Sequence, residues 1–146
     1  MSETDTLIRL ILATLLGGLV GIERQIHHKP AGLRTHILVC IGACMCMIIG
    51  LSLNKEFGNG IDPSRIAAQV VSGIGFLGAG TIMVSKASVK GLTTAASIWA
   101  TSALGLAIGN GMFFAAAVAA VLMVTALLIF EFVEEKFNLR ASDENE

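Results

Sequence analysis

Residues 91–130, GLTTAASIWATSALGLAIGNGMFFAAAVAAVLMVTALLIF, contain no charged side chain. As one continuous helix they would reach about 60 Å at 1.5 Å per residue, twice the roughly 30 Å of a bilayer core. The stretch therefore crosses a membrane twice, and Gly109-Asn110-Gly111 is the turn between the crossings. Working outward, residues 66–85 form another uncharged run. Residues 35–53 form a further one, interrupted by His36 alone. Residues 10–22 extend back to Thr6 past Arg9, whose long stem can carry its charge to the interface. The expectation is an all-α polytopic membrane protein with five spans at about 6–22, 35–53, 66–85, 91–108 and 112–130. Residues 131–146 then form a short acidic tail.

Composition agrees. The chain is 54% hydrophobic and only 14% charged, with a mean hydropathy of +0.77, which leaves too little polar surface for the shell of a soluble domain of this length. The formal net charge is −1 with no basic block, so no nucleic-acid partner is expected. Cys40, Cys44 and Cys46 lie within one apolar run at spacings that match neither CxxC nor a metal pattern, so neither a disulfide nor a metal site is read from them. The opening MSETDTLIRL is acidic and lacks a basic n-region, so the first apolar segment is expected to stay in the mature protein.

Five spans put the ends of the chain on opposite faces. One face then holds Arg9, Lys55 and Arg65; the other holds Arg24, Lys29, Arg34, Lys86, Lys90, Lys136 and Arg140. Basic residues collect on the cytoplasmic side, which predicts N-terminus out and C-terminus in.

Three groups of residues are candidates for function. The first is small: Gly73, Gly75, Gly78 and Gly80 on one side of a short basic loop and Gly91, Thr93, Thr94, Ala96 and Ala100 on the other, with Gly17 and Gly21 on the first helix. Lipid gives little hydrophobic drive between helices, so association rests on close backbone approach, which small residues allow. A tightly packed helical hairpin, or a docking face for another helix, is expected. The second group closes the first inner loop, GIERQIHHKPAGLRTH. There Glu23 and Arg24 end one helix while Arg34, Thr35 and His36 begin the next, and ionisable groups entering a membrane are costly enough to mark function. His27 and His28 are read as solvated. The third is Asp62-Pro63-Ser64-Arg65, where Asp62 suits an N-cap and Pro63 the first helical position; pairing of Asp62 with Arg65 across one turn would make the same place a gate.

A weak internal echo at an offset of 59 residues places Gly21, Gly32, Leu33 and Thr35 on Gly80, Gly91, Leu92 and Thr94. It suggests two similar hairpins. Thr93, Thr94, Ser97, Thr101 and Ser102 form a hydroxyl stripe on the fourth helix, with Gln69 and Ser72 able to face it from the third. Such hydroxyls bond their own backbone or a neighbouring helix, or else line a narrow pathway. No nucleophile with a base and no phosphate loop appears at usable spacing, so no catalytic residue, metal site or cofactor is expected. The absence of an acidic cluster at mid-membrane counts against a self-contained magnesium carrier, because Mg²⁺ prefers oxygen ligands including carboxylates.

The strings GIERQ, AGLRTHILV, DPSRIAAQVVSGIGFLGAG, FLGAGTIM and VKGLTTAASIWATSALGLAIGNG occur in this order between residues 17 and 111. Together they resemble the bacterial MgtC/SapB family of inner-membrane proteins, in a short form without the ACT-like domain that long members append. The virulence-associated branch carries Asn and Cys where this chain has Thr93 and Ala100. The resemblance implies five helices in the inner membrane. It also implies a non-enzymatic role in adaptation to low magnesium or acid stress, a virulence-type role in some members, and homo-oligomers or docking on another membrane protein such as the ATP synthase. A different expectation, drawn from the hydroxyl stripe, is a small Mg²⁺ or proton channel or transporter with its path at Ser72, Thr94, Ser97 and Thr101.

Overall fold

The computed structural model describes residues 1–58, 60–85 and 88–136, with side chains to residue 129. Five helices run in order: α1 (Glu3–Ile26), α2 (Leu33–Phe57), α3 (Pro63–Ala79), α4 (Leu92–Gly109) and α5 (Phe113–Lys136). Between α3 and α4 a two-residue strand, β1 (Met83–Val84), pairs antiparallel with β2 (Val89–Lys90).

Local chemistry sets the ends. The Ser2 hydroxyl caps α1 by accepting from the Asp5 amide at 3.1 Å, and Glu3 and Asp5 place negative charge on that helix's positive N-terminal end. Gly58, at φ 70°, closes α2. The turn expected at Gly109-Asn110-Gly111 is present: Asn110 is the C-cap of α4 and Gly111 stands at φ 85°, a left-handed value that glycine reaches without Cβ strain.

The third helix departs from expectation. Instead of running to residue 85 it ends at Ala79, because Gly80 and Thr81 turn the chain and the residues after them lead into β1. At 17 residues it is about 26 Å long. By length and composition α1, α2 and α4 can cross a membrane, and α5 carries a shorter apolar stretch, Phe113–Ile129. The acidic tail expected over 131–146 begins inside α5, and residues 137–146 lie outside the described residues.

Helix α4 touches all four other helices; α2 packs on α1, α3 and α4, and α5 packs on α1 and α4. Ala13, Cys40, Cys44, Ile48, Leu104, Ile108, Ala116 and Ala120 form the main buried cluster, drawn from α1, α2, α4 and α5. A smaller one, Ala31, Ile74 and Ile98 with Val39 against it, attaches α3. The three cysteines are free thiols. Large apolar side chains point outward instead, among them Leu15, Phe76, Phe114 and Leu122, the arrangement expected when lipid rather than water surrounds the bundle.

Candidate functional site

The closest helix contacts are made by glycines on either side of α2. A Cβ placed on Gly17 would stand 2.7 Å from the Cys40 Cβ, and one on Gly21 2.7 Å from the Leu33 Cα. From the other side, a Cβ on Gly105 would meet the Cys40 carbonyl oxygen, and one on Gly109 would lie 2.6 Å from that of Cys44. Each pair is spaced four residues apart, so each presents two gaps on one helix face, and α2 is clasped between them. Gly17 and Gly21 are legible in the sequence as packing residues. Gly105 and Gly109 belong with them, and their own GxxxG spacing in GLAIG is the signal that identifies them.

The glycine-rich hairpin around residues 73–101 is looser than its composition suggests. A Cβ on Gly73 or Gly75 would meet nothing within 4 Å, and one on Gly80 would meet only carbonyls of its own helix. Gly78 alone of the four touches α4, at ordinary contact distance from Ala95. Across the loop, Thr93 and Ala96 are exposed and Ala100 is half-buried, whereas Thr94 is buried. Gly91 does not pack helices together; it caps α4 at φ 89°, where any Cβ would collide with the Thr81 carbonyl. Gly32, its counterpart in the 59-residue echo, is likewise the N-cap of α2.

On the exposed side of α3 lie Arg65, Gln69, Ser72, Gly73, Phe76 and Gly80. Their spacing of three and four residues puts them on one face.

The inner-loop cluster divides. Glu23 and Arg24 are 5% and 2% exposed, and the Arg24 guanidinium donates to both carboxylate oxygens of Glu23 through Nε and Nη2. His27, one turn on, contacts the same carboxylate at 3.2 Å. His36 is fully buried on α2; its Nδ1 lies 2.9 Å from the Gly32 carbonyl and its Nε2 3.1 Å from the Ser97 hydroxyl of α4. Arg34 and Thr35 are exposed instead, with Thr35 bordering a cavity of about 200 Å³ that Pro30, Ala31, Val39, Leu77, Thr81 and Ile98 also line. The expected five-residue cluster is thus three buried residues, Glu23, Arg24 and His36, and two outward ones. His28, at φ 52°, is exposed.

Along α4, Thr94, Ser97, Thr101 and Ser102 are buried. Ser97 donates to the Thr94 carbonyl at 2.9 Å and Thr101 to the Ser97 carbonyl at 2.8 Å. The Ser102 hydroxyl is buried and has no hydrogen-bond partner among the described residues.

Two further polar sites lie elsewhere. Asp62 caps α3: its carboxylate accepts from the Ser64 amide at 2.9 Å and the Ser64 hydroxyl at 2.7 Å. The Ser64 hydroxyl, then its amide, hold the Asp62 carboxyl below its ordinary range, and nearby Arg65 adds to the effect. Arg9, expected at the interface, ties α1 to the α4–α5 turn. It is paired with Asp5 at 3.0 Å, donates to the Gly109 carbonyl and stands 5.8 Å from the Phe113 ring centre. Among the described residues no group of three His, Cys, Asp or Glu could hold a metal ion.

The family model described as MgtC family matches residues 10–136. YhiD of Escherichia coli (strain K12), named as a candidate magnesium transporter, is 47% identical over 133 residues, covering 86% of this chain and 60% of YhiD. Protein MgtC of Brucella abortus (strain 2308) is 46% identical over 112 residues, covering 77% of this chain and 45% of that protein. Slr0014 of a Synechocystis strain is 42% identical over 126 residues, 86% of this chain and 52% of that protein. The chain thus spans about half to three fifths of the length of these relatives. No solved structure matches.

Proposed function

The chain belongs to the MgtC family, and from that premise we propose that it is a non-enzymatic protein of the bacterial inner membrane serving adaptation to low magnesium or acid stress by docking on another membrane protein. The magnesium connection draws on the name of its YhiD relative. The observation that carries docking is the outward face of α3. There the Gln69 amide and the Ser72 hydroxyl are exposed beside Gly73, which has open space in front of it. Polar side chains are costly against hydrocarbon and normally face another helix, and a glycine with nothing before it lets that helix come close. A second copy of this chain and a larger assembly such as the ATP synthase are the occupants to test.

Gly73→Leu fills that open space without touching the bundle, and Gly75→Leu does the same on another side of α3, where a Cβ likewise meets nothing within 4 Å. The expected result is a folded protein that loses its crosslinks in native membranes and fails to support growth at low magnesium. Intact crosslinks and intact growth in both variants would end the docking account.

A transporter is the second reading, and the buried polar column of Glu23, Arg24, His36, Thr94, Ser97, Thr101 and Ser102 favours it. Proteoliposomes holding only this protein distinguish the two. Flux of Mg²⁺ or protons that disappears in Glu23→Gln supports transport, and no flux from folded protein supports docking.

A further inference from the structure

Between α2 and α4 three polar contacts form a chain: Gly32 carbonyl to His36 Nδ1, His36 Nε2 to Ser97 Oγ, and Ser97 Oγ to the Thr94 carbonyl. Both ends are carbonyl oxygens, which only accept. Three contacts between fixed acceptors therefore need three hydrogens. A neutral imidazole and one hydroxyl supply two. With the ring neutral, either Nδ1–H bonds Gly32 and the Ser97 hydroxyl serves Nε2 or Thr94, or Nε2–H bonds Ser97 and a bare Nδ1 faces the Gly32 carbonyl; in both tautomers one contact stays empty.

We propose that His36 is a proton-binding site within the bundle and that a third hydrogen, bound at Nε2, completes the chain. The balance is simple. A proton from the aqueous phase adds to the Nε2 lone pair, and the new N–H donates to Ser97 Oγ. The Ser97 hydrogen then points wholly at the Thr94 carbonyl, and no covalent bond breaks. The ring gains one positive charge, and every donor in the chain has an acceptor.

From α1, Glu23 and Arg24 are the charges that act on the ring, and they are bonded to each other. On α2 itself Arg34 points outward and Cys40 lies one turn on; α4 brings the hydroxyls of Thr94, Ser97 and Thr101, and α3 has no ionisable residue beyond Arg65. His27, only partly buried, contacts the Glu23 carboxylate, which places a partly exposed imidazole beside the buried pair. The site is a different place from the outer face of α3, so the inference does not rest on the docking reading.

The test is nitrogen-15 NMR of histidine-labelled protein in lipid bilayers, with the His36 resonances assigned by their loss in His36→Gln. Between pH 9 and pH 4 the His36 Nδ1 is expected to stay protonated while Nε2 passes from bare to protonated. Ser97→Ala removes the acceptor of the new N–H, so at the wild-type midpoint the ratio of protonated to neutral ring should fall about tenfold, a difference of about one pH unit. Ser97→Thr keeps the hydroxyl and should restore it. An Nε2 that holds one state throughout this range in the wild-type protein, a bare Nδ1, or a Ser97→Ala titration identical to wild type would each overturn the proposal.

Discussion

At the scale of the residue, the buried Glu23 and Arg24 are joined through both carboxylate oxygens, and loss of the carboxylate charge takes the bidentate acceptor from a guanidinium held in a low dielectric. Removing one partner of such a pair costs about 3–5 kcal/mol, whereas replacing both by apolar groups is often neutral. Glu23→Gln is therefore expected to destabilise the protein by about 3 kcal/mol. The double variant Glu23→Gln, Arg24→Met should regain most of that loss, as read by thermal unfolding in lipid or detergent. Asp62 gives a prediction about acid. Its folded carboxyl titrates below its unfolded one, so its contribution to stability is complete above the ordinary carboxylate range and vanishes as pH falls through the lowered value. The difference in melting temperature between wild type and Asp62→Asn should be largest near neutrality and shrink on acidification; a gap that widens in acid would contradict the capping role. The cap is readable from Asp-Pro-Ser, because capping depends on neighbours in sequence. The partner of His36 is not, since Ser97 lies 61 residues away and only the packing of α4 on α2 decides which hydroxyl of the stripe it meets.

At the scale of the element, length and charge make four of the helices legible, because a hydrocarbon layer of fixed thickness sets how long an uncharged run must be. The third is legible except at its C-terminal end. Thr81, Ile82, Met83 and Val84 are apolar enough to extend a span, but hydropathy does not register the turn at Gly80 or the pairing of Met83–Val84 with Val89–Lys90. Glycine content is an equally incomplete guide. It draws attention to residues 73–80, where two glycines face open space, while the tight contacts are the pairs Gly17, Gly21 and Gly105, Gly109 flanking α2. Composition shows where backbones are able to approach, and only the fold shows where they do. Gly105→Val is accordingly expected to separate α4 from α2 and lower the melting temperature strongly, as overpacking a filled contact costs about 1–3 kcal/mol or more. Gly73→Val should leave melting nearly unchanged. Equal melting of the two variants would mean that α4 does not press on α2 as described.

At the scale of the whole molecule, the bundle is apolar on its outside as well as in its core. Hydroxyls and an ion pair are sealed between α1, α2 and α4, and leucines and phenylalanines cover the outside. Orientation in the membrane is a separate matter from that packing, since turning the bundle over changes no internal contact. It follows from the unequal distribution of Lys and Arg, which cross the bilayer poorly and remain on the cytoplasmic side. We expect the α1–α2 loop, with Arg24, Lys29 and Arg34, and the α3–α4 loop to lie inside, and the α2–α3 and α4–α5 connections outside. Single cysteines introduced at His28 and at Asp62, both exposed, in a chain with Cys40, Cys44 and Cys46 replaced, provide the check. A membrane-impermeant thiol reagent added to intact cells should label position 62 and not position 28. The reverse pattern would turn the molecule over. Labelling at both would mean that α2 does not cross, and the five-span arrangement would fail with it.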